Sequence, residues 1–449
     1  MEYLRPLVHD LLRAEKHEMV FEILDMHYAR AQTMADFDVL GSLSLKAEHR
    51  KLYLKCAEAG YAMAESTIQK YLARTNLYKA YNAMNYPEKA MFYIRMNLSL
   101  DPNDFETLCQ EAFTYSLMGN KDKGDAMLLE ILKKHPDKED KLRSTLSGLH
   151  LREGRTAKGI LSFLNSDNIK SNLFTERLGM RLWDGLVRPG QTIYVEGAGG
   201  IGDEIINIRF FDKLRAFGMR PILYSSWHKY RGDTVDLFRR HGYEVITDAY
   251  TIDPRAYWCP MLHLPGFMNL TEADLWNGPY LTPQKDPSVD LGKKRKLRIG
   301  IKCSGNPYFS QNEYRVIPVH KMLDYLPGPD EAEIYYIDKS DKPEGVESLS
   351  DRINSWEDTL DILDQMDLVV SSCTSIVHAS GAMGKPTMVI VPIVEYYVWT
   401  TTSKTTRSPW YGDNFFVFKQ TKLRSWDEPL EKMREYVNTF MNGGELVHG

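Results

Sequence analysis

The chain has 449 residues, too many for one hydrophobic core, so two or three domains are expected. Its 43% hydrophobic and 26% charged residues suit a globular protein, and a net charge of −5 argues against a general polyanion binder. No apolar run is long enough to span a bilayer, Met1-Glu-Tyr-Leu-Arg5 has no signal-peptide core, and five scattered cysteines (Cys56, Cys109, Cys259, Cys303, Cys373) form no disulfide or zinc pattern; a reducing, cytoplasmic setting is expected.

Residues 1–165 read as helical and carry an internal period. Tyr81 and Tyr115, Met84 and Met118, Ala90 and Gly124, and Pro102 and Pro136 are each 34 residues apart. That period, with a small residue in the second helix and a proline after it, is the pattern of tetratricopeptide helix pairs. Gly119 and Gly124 recur with a one-residue slip as Gly154 and Gly159. Upstream the repeat is degenerate, although Lys46 to Ala73 is strongly helix-forming. Stacked pairs offer a surface for a protein partner, an extended substrate or self-association.

After Asn165 strands alternate with amphipathic stretches. Thr192–Glu196, Arg220–Tyr224 and Tyr243–Ile246 read as strands, separated by helices at Asp203–Phe217 and Thr234–His241. This βα order predicts a parallel sheet. A proline-dotted aromatic stretch and the basic run Lys293–Arg298 lead to a second unit. Its strands are Arg298–Lys302, Glu333–Ile337, Asp367–Val370 and Thr387–Val391, with a helix at Ser375–Met383. Trp426–Met441 reads as a closing amphipathic helix.

Three segments carry candidate chemistry. Gly197-Ala-Gly-Gly-Ile-Gly202 follows a strand and opens a helix, satisfying the dinucleotide pattern. The pattern also requires an acid about 20 residues on to hold the ribose. The second strand ends Leu223-Tyr-Ser-Ser-Trp227 without one, and Asp203-Glu204 at the helix start would repel a pyrophosphate. An NAD-dependent oxidoreductase is therefore the weaker reading. Asp203 suits a general base at a cleft edge, or equally a helix cap.

In the second segment, Val369 to Pro386, a buried strand ends in hydroxyl residues before a helix. Thr374, Ser375 and the free amides there can hold a diphosphate, with His378 one turn on. An N-cap cluster and a core histidine explain the same residues. In the third, Ile301–Tyr308, Lys302, Ser304 and Asn306 are polar groups of the kind that meet a nucleotide or phosphate. Lys293–Arg298 has no interleaved aromatics and reads mainly as a solvated linker, leaving nucleic acid as a minor alternative. Tyr396, Tyr397, Trp399 and Trp410 can stack on a base or sugar, or pack in the core.

From about Thr192 to Lys432 the chain resembles bacterial glycosyltransferases related to lipopolysaccharide heptosyltransferases, in the form that carries tetratricopeptide repeats. Gly199-Gly-Ile-Gly-Asp-Glu204 is similar to the family's GGLGD turn, and Leu264-Pro265 with Pro279-Tyr-Leu281 to the end of its acceptor domain. Ser304-Gly-Asn-Pro307 with Arg315-Val-Ile-Pro318 looks like its first C-domain loop. Thr374–His378 with Gly381–Pro386 matches its donor-site helix, and Ser408-Pro-Trp-Tyr411, Phe416–Gln420 and Trp426-Asp427 its closing segment.

The resemblance implies helical repeats (1–165) followed by a GT-B pair of Rossmann-like α/β domains, the acceptor domain at 166–290 and the nucleotide-sugar domain at 291–425, with a C-terminal helix and tail at 426–449. It implies inverting, metal-independent transfer from a nucleotide-sugar co-substrate, with no other cofactor. Asp203 would be the base. Gly199, Gly200, Gly202, Glu204 and His263 would lie on the acceptor side, and Lys302, Ser304, Asn306, Arg315, Thr374, Ser375 and His378 on the donor side. The acceptor would be a glycan, a protein or modified nucleic acid. Two departures bear on the chemistry. Cys373 stands where the family usually has aspartate, and Tyr308–Tyr314 carries no cation, so Lys302, Arg315 or Lys404 must supply positive charge. A repeat scaffold with a degenerate, non-catalytic transferase module is the competing reading.

Overall fold

The computed structural model describes residues 1–14, 16–163, 179–197, 199–225, 228–307, 312–339, 341–400 and 405–449. The change of pattern at Asn165, Ala198 of the glycine turn, Trp227, residues 308–311 and Lys404 lie outside the described residues. The chain forms two compact units, Met1–Glu139 with Lys422–Arg424, and Asp140–Thr421 with Ser425–Gly449.

The first unit is helical. Thr67–Ala83 pairs with Pro87–Leu98, and Phe105–Leu117 with Lys121–Lys134. The 34-residue offset has a geometric basis. Asn85 and Gly119 both take positive φ (62° and 84°) just past the first helix of each pair. There Tyr86 N–H bonds Tyr81 C=O at 2.8 Å, and Asn120 N–H bonds Tyr115 C=O at 2.9 Å, satisfying carbonyls that the helix end leaves open. Position 124 must stay small, because a Cβ there would lie 2.6 Å from the Ala112 carbonyl oxygen. The strongly helix-forming stretch from Lys46 to Ala73 is helical, shared among Met34–Lys46, Arg50–Met63 and Thr67–Ala83. Glu48 at φ 62° makes the first break, and Ser66 caps the next helix with Gln69.

The second unit begins with the helix pair Glu139–Arg152 and Thr156–Phe163 and continues into two all-parallel sheets. The first contains β1 (Arg181–Leu182), β2 (Thr192–Glu196), β3 (Arg220–Tyr224), β4 (Val245–Ile246) and β5 (Tyr257–Pro260), in the order β1-β5-β2-β3-β4. The second contains β6 (Leu297–Lys302), β7 (Ala332–Tyr336), β8 (Glu347–Ser348), β9 (Leu368–Ser372), β10 (Thr387–Val391) and β11 (Phe415–Lys419), in the order β11-β10-β9-β6-β7-β8. Parallel strands need crossovers, so central strands are covered on both faces and buried along their length, as in Thr387-Met-Val-Ile-Val391.

Each sheet reverses its strand order once, between β2 and β5 in the first and between β6 and β9 in the second. Such a reversal opens a crevice at the carboxyl ends of the two strands. The glycine turn follows β2, the Cys303–Asn306 loop follows β6, and Cys373-Thr374 follows β9. One apolar core runs continuously from Ile193 and Trp258 of the first sheet to Val369 and Val389 of the second. The helix Asp427–Met441 covers the far face of the second sheet through Leu430, Met433 and Val437.

Candidate active site

The helix Ile201–Ile208 packs directly against the helix Ser375–Ala382, which brings the turn after β2 onto the crevice of the second sheet. Glycine makes the contact possible. A Cβ on Gly202 would lie 2.6 Å from His378 Cδ2 and 3.3 Å from Ser375 Cα.

The glycine turn is wrapped around its own carboxylate. Gly200 N–H donates to Asp203 Oδ2 at 2.6 Å, and a Cβ on Gly199, which sits at φ 79°, would meet that oxygen at 2.5 Å. The anion seat that such a turn offers is thus taken by Asp203, and a pyrophosphate there would meet its charge. Asp203 is half-buried. From the other side of the crevice the Tyr396 hydroxyl hydrogen-bonds it, and burial, then the charge of Asp203, raise the Tyr396 phenol well above its usual range.

Opposite stands Arg315. It donates to the Cys373 carbonyl at 2.8 Å and to Asn312 Oδ1 at 3.1 Å. Its guanidinium lies across Gly305, where a Cβ would find the nearest nitrogen within van der Waals overlap. Burial lowers the Arg315 pKa, and the charge of Asp203 is among the groups that oppose the shift. Arg315 therefore spans the reversal point from the β6 loop to the end of β9.

Thr374 is the N-cap residue of Ser375–Ala382 yet makes no side-chain cap; its hydroxyl lies 3.2 Å from Ser371 Oγ. The Thr374 side chain thus leaves the first amides of this eight-residue helix uncapped, beside Arg315. Cys373 is buried, its thiol accepts from Trp399 Nε1 at 2.9 Å, and burial raises its pKa to about 11. It is a neutral packing group at pH 7, with no negative charge to oppose a phosphate.

His378 is buried, with Nδ1 2.7 Å from the Tyr411 hydroxyl and its ring stacked 5.2 Å from Trp399. Burial, then the charges of Arg209 and Arg315, lower its pKa to about 3, so it is neutral across the physiological range. Arg209 is buried where the single helix expected over Asp203–Phe217 breaks into Ile201–Ile208 and Phe210–Ala216. Its guanidinium donates to the carbonyls of Ile206 (2.7 Å), Leu275 (3.1 Å) and Trp410 (2.6 Å).

Of the remaining candidates, Glu204 and His263 lie apart from this group, whereas Lys302, Ser304 and Asn306 belong to the β6 end and loop that Arg315 crosses at Gly305. Glu204 is fully buried, with its carboxylate toward Gly197 and Thr234 inside the first α/β layer. His263 is buried in the turn Met261–His263, its ring 6.1 Å from Phe267. Lys302 ion-pairs with Asp338, and burial brings its ammonium down to about 8. Ser304 lies 3.4 Å from the Tyr336 hydroxyl, and Asn306 is exposed. Of the aromatics, Tyr397, Trp399 and Trp410 are core residues, while Tyr396 keeps partial exposure. In the basic run, Lys294 pairs with Asp367, Lys296 bonds the Pro329 carbonyl, and Arg298 pairs with Glu333.

Sequence reasoning missed Arg209, and it gave Tyr411 no role beyond its motif. A lone arginine within the apolar run Ile205-Ile-Asn-Ile-Arg-Phe-Phe211 was the available signal, since such a charge is buried only with partners.

No family model matches the sequence, and no curated protein matches it. Several solved structures are similar to it. The iron-containing dodecameric glycosyltransferase TibC from enterotoxigenic E. coli shares 13% identity over 59% of this chain and 76% of that one, with a TM-score of 0.35. A mutant O-GlcNAc transferase of Thermobaculum terrenum shares 13% identity over 92% of this chain and 94% of that one, at 0.32. A glycosyl transferase family 9 protein from Veillonella parvula shares 9% identity over 58% of this chain and the whole of that one, at 0.37.

Proposed function

We propose that the chain is a glycosyltransferase of GT-B architecture that moves a sugar from a nucleotide-sugar donor to an acceptor hydroxyl. Asp203 takes the acceptor proton, the freed oxygen attacks the anomeric carbon from the face opposite the leaving group, and the bond to the diphosphate oxygen breaks. The nucleoside diphosphate departs with the electron pair, and configuration inverts. Arg315 and the first amides of Ser375–Ala382 receive the developing negative charge, the role that a metal fills in other transferases.

One observation carries this reading. A carboxylate on the end of the first sheet faces a guanidinium and an uncapped helix N-terminus on the end of the second, at the two reversal points. A base on one side and an anion cradle on the other are what transfer from a diphosphate requires. Closure of the two α/β layers brings acceptor and donor together.

The helical unit is proposed to recruit or orient the acceptor, a glycan or protein, or to self-associate, in a cytoplasmic setting. The engagement of Lys294, Lys296 and Arg298 with the protein makes a nucleic-acid acceptor the less favoured choice. The non-catalytic scaffold draws on a different observation: Asp203 Oδ2 already accepts from Gly200 N–H, as a purely structural cap would. Turnover of a nucleotide-sugar panel by wild type and D203N decides between them. Transfer lost in D203N with nucleotide binding kept supports the enzyme; no turnover by wild type supports the scaffold.

A further inference from the structure

Two groups near His378 have no part in the chemistry proposed so far. Tyr411 is buried, and its hydroxyl meets His378 Nδ1 at 2.7 Å and the Arg209 guanidinium, which can only donate. If Nδ1 carried the proton, it would donate to the phenol oxygen, and the Tyr411 O–H would be a buried donor with no acceptor, which is costly. If Nδ1 is bare, the phenol donates to it and both groups are satisfied. The charge of Arg209 favours the second arrangement. Its guanidinium lies over the Tyr411 ring, the carbon 5.0 Å from the ring centre, and hydrogen-bonds the phenol oxygen, so that oxygen accepts from the cation and its proton is left for His378.

The ring has little freedom to evade this choice. Trp399 is stacked on it at 5.2 Å, held in turn by its bond to Cys373 Sγ and its stack on Phe415. Tyr411 lies 4.3 Å from Phe415 and crosses Gly381 where a Cβ would come within 2.5 Å. The opposite ring nitrogen, Nε2, makes no hydrogen bond to any described residue and lies on the Gly202 side of the ring, 3.5 Å from where a Cβ on that glycine would stand.

We propose that Tyr411, oriented by Arg209, is a positioning residue that fixes His378 as the neutral Nε2–H tautomer, making it a hydrogen-bond donor to the diphosphate of the donor substrate. This rests on reading the crevice as a diphosphate cradle. A neutral donor suits the place, because it holds the leaving group without transferring a proton to it and without needing a charge that the buried site disfavours.

The tautomer is read directly from the nitrogen shifts of His378 in a 15N-labelled, full-length, ligand-free protein, assigned with His378→Gln. The expected wild-type spectrum has Nδ1 unprotonated and Nε2 protonated, and Y411F shifts the population toward Nδ1–H. A wild-type Nδ1–H tautomer, or an Nε2–H tautomer unmoved in Y411F, overturns the proposal. Should Y411F not fold, the wild-type spectrum still decides. Affinity for UDP, GDP and ADP is then compared: Y411F is expected to bind about tenfold more weakly than wild type the diphosphate that wild type holds, the loss of one bond to a charged group. The expected tautomer with no binding of any diphosphate by wild type contradicts the cradle and leaves the Tyr411–His378 relationship standing.

Discussion

Gly202 and His378 are in van der Waals contact across the crevice, with room for a hydrogen but not for a methyl group. The glycine of the first sheet's turn is therefore a closure surface as well as a turn residue. Gly202→Ala should destabilise the closed arrangement by about 1–3 kcal/mol, the usual cost of forcing a group into a packed contact. Thermal unfolding measures this against Gly60→Ala. No neighbour crowds a Cβ at Gly60 in the helix Arg50–Met63, and alanine there should be neutral or stabilising by about 0.5–1 kcal/mol. Equal stability of the two variants would count against the contact.

Asp203→Asn keeps an oxygen that can accept from Gly200 N–H, so the turn should persist. The lost base should lower transfer by about a hundredfold or more. Nucleoside-diphosphate affinity, followed by calorimetry, should change little. A large loss of affinity or of stability would assign Asp203 to structure.

Arg315 is the cation that the crevice supplies, following a stretch from Tyr308 to Tyr314 whose sequence holds none. Arg315→Met should weaken nucleoside-diphosphate binding about ten- to a hundredfold, with Arg315→Lys intermediate because a point charge cannot reproduce the paired donors. Because Arg315 also holds the Cys373 carbonyl, the unfolding temperature of each variant is measured alongside. Unchanged affinity in a folded Arg315→Met would remove it from the cradle.

The depressed pKa of His378 has a stability consequence. Its unfolded value is 6.5 and its folded value about 3. As pH falls through that window the unfolded chain takes up a proton that the folded one refuses, so stability present above pH 6.5 is lost on acidification. The contribution approaches about 1.4 kcal/mol per pH unit inside the window. In His378→Gln the slope of denaturation free energy against pH should flatten by up to that amount. An unchanged slope would place His378 in contact with water.

Much of the frame is legible in the sequence, for physical reasons. Thr192–Glu196, Arg220–Tyr224 and Thr387–Val391 are short apolar runs bounded by glycine or proline and coincide with β2, β3 and β10. β5 was hidden because Tyr257-Trp-Cys-Pro260 reads as part of a proline-dotted loop; its proline falls at the carboxyl end of the strand. The break at Arg209 was hidden because the apolar face continues across it, and three carbonyls from separate segments hold the charge. Asp203, Thr374 and His378 stand out in the sequence because each follows shortly after a strand end, whereas Arg315, on the helix Asn312–Arg315, is named only through the resemblance. That Glu204 and Lys302 are turned to inner partners, Thr234 and Asp338, depends on side-chain direction, which spacing does not encode.

The proposed reaction pairs a base on the first sheet with a diphosphate-linked sugar held by the second. Wild type and Asp203→Asn are assayed together against a panel of nucleotide sugars for slow donor hydrolysis and transfer, with binding of the matching nucleoside diphosphate measured on the same samples. One diphosphate is expected to bind both proteins with similar affinity, and its sugar conjugate to be turned over only by wild type. Binding of none of them by wild type, or NAD binding at Gly197–Gly202, would overturn the proposed reaction.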